Sequence, residues 1–131
     1  MATEEARIKM IEDCRENPMV FCKMMWPKEG IYPWQERIFK SVIGNKKTYV
    51  RACNSSSKTH TAARIGAWWL SCFVPSILVT TATTYTQVEA VLWGNIRSAY
   101  NNAKYKLPGT ILPSSPYWKI SDNHYGIGLS G

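Results

Sequence analysis

The sequence predicts an α/β fold, a helical prelude followed by the opening strands and helices of a parallel sheet. Three observations carry that reading. Thr48-Tyr49-Val50-Arg51 has strand composition, and a long helical stretch follows it from Lys58 to Cys72. Past Pro75, the run Ser76–Thr81 is apolar enough for a buried strand. Strand, turn, helix and strand fall within about 35 residues, the size of a βαβ unit, whose two strands lie parallel in one sheet. At 131 residues, 45% of them hydrophobic and six of them tryptophan, the chain fills one domain and is not a disordered segment.

The elements follow in order. Residues 4–16 place Ile8, Ile11 and Cys14 on one side of a first helix. Asn17-Pro18 restarts the helix, with Asn17 as cap and Pro18 in the first turn, and Pro27 ends it. Pro33 opens a third helix in which Trp34, Ile38 and Val42 recur at helical spacing and Gly44 supplies the stop. These helices make an N-terminal segment, 1–46, and the sheet-forming segment occupies 47–131. After the strand ending near Thr81, Thr86 and Glu89 stand at capping-box spacing before a helix over 87–101. That structural use of Glu89 is sufficient to account for it. A proline-rich stretch, 103–116, reads as loop, and Tyr117–Ser121, Asp122-Asn123 and His124–Leu129 read as a β-hairpin.

Several classes are excluded. Cys14, Cys22, Cys53 and Cys72 form no CxxC pair and have no histidine at zinc-finger spacing, so reduced, buried thiols are expected. The acidic start MATEEARIKM matches neither a secretory signal nor a myristoylation site. The most apolar stretch, 67–79, is broken by Ser71, Pro75 and Ser76 and is too short for a bilayer span. A soluble intracellular protein with no membrane partner is the expectation.

Charge is unevenly placed. The chain has 16 Lys+Arg against 9 Asp+Glu, a net +7. Residues 1–36 hold five bases and seven acids, whereas 37–131 hold eleven bases and only two acids, Glu89 and Asp122. The basic part suits a polyanion such as nucleic acid or nucleotide phosphate, although scattered lysines also make an ordinary solvated face.

Between the predicted strand and helix lies Ala52-Cys-Asn-Ser-Ser-Ser-Lys58-Thr59. Against the phosphate-loop pattern GxxxxGK[ST], Lys58 and Thr59 occupy the lysine and hydroxyl positions, while Ala52 and Ser57 replace the glycines. Backbone N–H groups of Asn54, Ser55, Ser56 and Ser57 and the helix start would face phosphate. Lys58 would reach the β- and γ-phosphates of ATP, and the Thr59 hydroxyl would join the shell of Mg²⁺. A serine-rich helix cap is the alternative. A lysine at the positive end of a helix is poorly placed unless an anion is bound there, which favours the phosphate reading.

Four blocks then agree in order and spacing: Tyr32–Ile38, Tyr49–His60 with Ala67-Trp-Trp-Leu70, Thr80–Gln87, and Val91-Leu-Trp93. Together they resemble the N-terminal ATPase domain of bacteriophage terminase large subunits, motors that package and cut viral DNA, over about 17–121. The resemblance implies a P-loop NTPase-like, RecA-like sheet. It implies that Gln35 recognises adenine, with Trp34 or Tyr32 beside the base; Trp34 as a core residue and Gln35 on a solvated helix face are the alternative. Arg51 corresponds to a basic residue beside the loop, or is a strand-end surface charge. Thr83, Thr84 and Gln87 fall in the segment that couples nucleotide state to DNA. Double-stranded DNA, the small terminase subunit and the portal protein are the implied partners, in a homo-oligomeric motor in the host cytoplasm and at the procapsid portal.

ATP hydrolysis in that family needs an acid at the end of an apolar strand and a neighbouring Glu that activates water. Neither Glu89, after Thr86-Gln87-Val88, nor Asp122, after Lys119-Ile120-Ser121, ends such a strand. The expectation is an N-terminal portion of the motor, ending before those acids and before the nuclease, that neither turns over ATP nor cuts DNA. A helicase-like ATPase fragment and a non-catalytic basic protein that binds DNA or another partner are the alternatives.

Overall fold

The computed structural model describes residues 4–30, 32–50, 56–82, 84 and 86–130. It is a mixed α/β structure of helices packed on a four-stranded sheet. Helices α1 (Glu4–Glu16), α2 (Pro18–Met25), α3 (Pro33–Gly44) and α4 (Ser56–Cys72) precede strand β1 (Ile77–Ala82). A π-helical turn, Gln87–Leu92, runs into α5 (Trp93–Asn102), followed by β2 (Thr110–Ile111), β3 (Tyr117–Ser121) and β4 (His124–Ser130). Among the described residues no helix is long and apolar enough to cross a membrane.

The prelude helices form for the reasons their sequences give, with local differences. Pro18 does occupy the first turn of α2, but Asn17 makes no side-chain cap bond. Helix α3 ends without a left-handed glycine. Asn45 Nδ2 instead donates to the Ser41 carbonyl at 3.0 Å, satisfying one of the orphan acceptors of the last turn.

The sheet order is β1-β4-β3-β2, with β1 parallel to β4 and the remaining pairs antiparallel. The predicted hairpin is present, its turn at Asp122-Asn123. The predicted strand over 48–51 is not: residues 47–50 have no regular secondary structure, and Arg51 lies outside the described residues. The parallel partner of β1 comes from the far end of the chain. Strand propensity is realised only where another strand completes the backbone hydrogen bonds, and β4 pairs with β1 along its whole length.

Helices α4 and α5 cover one face of the sheet. Ala63 and Ala67, both fully buried, let α4 approach closely, and Trp68, Leu70, Trp93, Ile96 and Trp118 complete the core. Gly126 permits the approach of helix to sheet, since a Cβ there would stand 3.0 Å from Leu70 Cδ1 and 3.4 Å from Trp93. Indole N–H groups are satisfied on the way in: Trp68 by the Cys14 carbonyl at 2.7 Å, Trp93 by Thr80 Oγ1 at 2.9 Å, Trp118 by the Pro108 carbonyl at 2.8 Å. His124 is a core histidine, donating from Nε2 to the Leu70 carbonyl at 2.7 Å.

The other face is open at β1. Ile77 and Val79 are 49% and 54% exposed, where a strand buried on both faces is predicted. The helices cover only the Leu78 side, so alternate residues of β1 meet solvent.

Cys14, Cys22 and Cys72 are free and buried. Burial pushes the Cys22 and Cys72 thiols up to about 12, which keeps them protonated and unreactive.

Candidate functional site

The predicted phosphate-contacting residues fall at and before the start of α4. Arg51, Asn54 and Ser55 lie outside the described residues, as does Thr83. Ser56, Ser57 and Lys58 form the first positions of α4, and the half-buried Thr59 follows. The first turn of α4 contains no acidic residue, so nothing in it offsets the positive end of the helix dipole. Thr84 is exposed just beyond β1, and Gln87 opens the π-helical turn.

Two sets of side chains hold α4 against the prelude. The first centres on Gln35, which is buried near the start of α3. Its Oε1 accepts from the Tyr32 backbone N–H at 2.9 Å, fixing the first turn of α3. Its Nε2 donates to Thr61 Oγ1 at 3.0 Å, two residues beyond Thr59. The residue singled out for adenine recognition thus ties α3 to the helix that follows the candidate phosphate loop.

The second set was not legible from motifs. Glu29, in the turn after α2, accepts both Arg64 Nη2 at 2.5 Å and Arg64 Nε at 3.1 Å, a bidentate pair. His60 Nε2 lies 3.5 Å from the same carboxylate. Arg64 is buried, with its guanidinium carbon 4.7 Å from the centroid of the Trp26 ring. Burial raises the Glu29 carboxyl, but the hydrogen bonds and charge of Arg64, with His60, outweigh it and hold the group below its ordinary value. The one sequence signal available was the i,i+4 spacing of His60 and Arg64, which puts both on one side of α4.

The space around these residues separates two functions. Behind Gln35, beside Cys22, Trp26 and Arg64, the cavity measures about 30 Å³. That is far below the several hundred cubic ångströms of a small-molecule site, so this cluster is a clamp for α4 and not a ligand pocket. Around another side of α3, Trp34 and Arg37 face the segment Thr48–Val50 across a groove of about 420 Å³. Trp34 is half-buried and lies parallel to the exposed Tyr32 ring, the centroids 6.4 Å apart at 8°. Trp34 and Gln35, adjacent in sequence and about 100° apart around the helix axis, therefore border different spaces beside α3.

The two acids of the basic segment are engaged elsewhere. Glu89 pairs with Arg97 on α5, and Asp122 sits on the hairpin turn with Lys119 Nζ at 3.5 Å. Among the described residues there is no group of three His, Cys, Asp or Glu side chains able to hold a metal ion. No family model matches the chain, and no curated protein or solved structure is significantly similar to it.

Proposed function

We propose that this chain is the nucleotide-binding front part of a viral DNA-packaging motor of the terminase large-subunit type. The observation that carries the reading is the placement of Ser56–Thr59 as the first turn of a helix with no acid to neutralise it. Backbone N–H groups at such a terminus attract phosphate, and Lys58 adds a cation where an anion would compensate it. The clamp of Gln35 and Glu29 on Thr61, His60 and Arg64 supports the reading, because it fixes the direction of α4 from the prelude. The proposed site is a phosphate cradle of Asn54 to Ser57 with Lys58 on the β- and γ-phosphates of ATP.

Thr59, in the first turn of a helix without carboxylates, would hold Mg²⁺ through its hydroxyl. When bound, the ion would supply positive charge against the negative charge of the phosphates. The acids available to activate water are committed elsewhere, Glu89 to Arg97 and Asp122 to a solvent-exposed turn. Binding without turnover is therefore the proposed behaviour of this chain alone. Double-stranded DNA, the small terminase subunit, the portal protein and further copies of the motor subunit are its proposed partners, in the host cytoplasm and at the portal vertex.

Titration of a fluorescent ATP analogue with Mg²⁺ tests this. Wild type binds, and Lys58→Ala binds at least about tenfold more weakly, the effect of losing one charge-assisted contact. Equal binding by both proteins overturns the reading, as does single-chain ATP turnover that Lys58→Ala abolishes. DNA binding that nucleotide leaves unchanged, together with no nucleotide binding at all, favours a non-catalytic basic DNA-binding protein instead.

A further inference from the structure

The groove between α3 and Thr48–Val50 is not used by the proposed phosphate site. One wall carries Trp34 and Arg37, the other Tyr49, which is 86% exposed. The second wall is held to the first by a 3.0 Å hydrogen bond between the Ser41 and Thr48 hydroxyls. At the mouth, Tyr32 is 62% exposed and extends the aromatic surface of Trp34. Large aromatic rings are costly to leave in water, and three of them converge here.

The charges beside them are of one sign. Arg37 has no ion-pair or hydrogen-bond partner among the described residues, and neither have the exposed Lys46 and Lys47 that lead into the second wall. The nearest acid on α3, Glu36, is taken by Lys40 at 3.4 Å. Among the described residues, no acidic side chain lines the groove.

We infer that this groove binds a single strand of nucleic acid by stacking unpaired bases on Tyr49, Trp34 and Tyr32, with the strand's phosphates along Arg37, Lys46 and Lys47. Aromatic platforms interleaved with cations are what a single strand requires, because every base offers a π-face once unpaired and every nucleotide brings a charge. A duplex hides its base faces and would leave the rings unused. Three platforms and three separated cations exceed what one free nucleotide occupies. The Gln35 amide, engaged by the Tyr32 N–H and Thr61 Oγ1, takes no part.

The test is anisotropy of an end-labelled thymidine 12-mer titrated with the whole chain at two salt concentrations. Wild type binds the strand, more weakly at the higher salt, and unlabelled duplex of the same length competes poorly. Tyr49→Ala weakens binding roughly 5- to 100-fold, the effect of one lost stacking platform. Arg37→Ala also weakens it and lowers the salt slope by about one phosphate contact. Lys58→Ala leaves strand binding unchanged, which separates this site from the phosphate cradle. Unchanged binding by Tyr49→Ala and Arg37→Ala overturns the inference, as does displacement of the strand by duplex at equal concentration. Loss of strand binding in Lys58→Ala also overturns it, by placing the strand in the phosphate loop. Because Tyr49 and Arg37 are exposed and support nothing in the core, their substitution leaves the circular dichroism spectrum unchanged.

Discussion

Glu29, in the turn after α2, ties down two residues of α4, His60 and Arg64. It accepts a bidentate pair from Arg64 and faces His60, and through them it fixes the first half of α4. The folded protein holds this carboxyl below its ordinary value of 4.5 despite burial, so its ionised form is the one the fold binds better. The sign follows by linkage: the contribution is complete above the unfolded value and is lost as pH falls through the lowered folded value. Melting curves against pH should therefore show wild type more stable than Glu29→Gln above about pH 5 and the gap closing in stronger acid. A gap that widens as pH falls would reverse the assignment. At the same scale Gln35 shows how far a motif can be read. Its presence near the start of a proline-opened helix was legible; its two partners, Tyr32 N–H and Thr61 Oγ1, depend on where α4 comes to lie.

At the scale of elements, the start of α5 departs most from expectation. Thr86 and Glu89 have the spacing of a capping box, yet the chain makes a π-helical turn over Gln87–Leu92 and Glu89 pairs with Arg97. Positions eight apart on a regular α-helix diverge by roughly 80° around the axis. The wider i→i+5 turn closes part of that angle and brings the two side chains together. Arg97 then donates to the Leu112 carbonyl at 2.8 Å and the Ser115 carbonyl at 2.9 Å, fastening the loop that precedes β3. Removing it strands a partly buried carboxylate, whose Oε2 is already unpartnered, and frees two carbonyls. Arg97→Ala should lower stability in urea by roughly 2–4 kcal/mol, and adding Glu89→Ala should restore part of the loss. The connection from α5 to β2 closes through Gly109, whose φ of +75° and whose 2.3 Å distance from a built Cβ to the Lys119 carbonyl admit only glycine.

At the scale of the whole molecule, the sheet is covered by helices on one face and, among the described residues, β1 is an edge strand. Strand β1 pairs with β4 on one side only, and Ile77 and Val79 on it are about half exposed. An edge strand that presents apolar residues is a template for pairing with another chain. Sedimentation at rising concentration should show self-association that Val79→Lys reduces, with an unchanged circular dichroism spectrum. No change in association on that substitution would place the contact elsewhere. The molecule's charge has the same uneven character: among the described residues, two acids of the prelude are drawn into pairs, Glu29 with Arg64 and Glu36 with Lys40. Several cations of the later segment are left facing solvent, Lys46 and Lys47 among them.

What the sequence by itself determined is local. Pro18 and Pro33 start helices because their fixed φ suits a first turn. The hairpin forms around Asp122-Asn123 because alternating residues flank a turn pair, and the mixed α/β class follows from those periods. What only the tertiary structure decided is pairing. Thr48–Val50 has strand-forming residues, but β4, more than forty residues past β1, completes the ladder that was predicted for it. Gln35 and Trp34 were predicted to share one ligand, and the turn of α3 sends them about 100° apart, one into a clamp and one onto a groove. Hydrogen-bond partners and buried faces are set by elements distant in the chain, and residue order does not state which of them will meet.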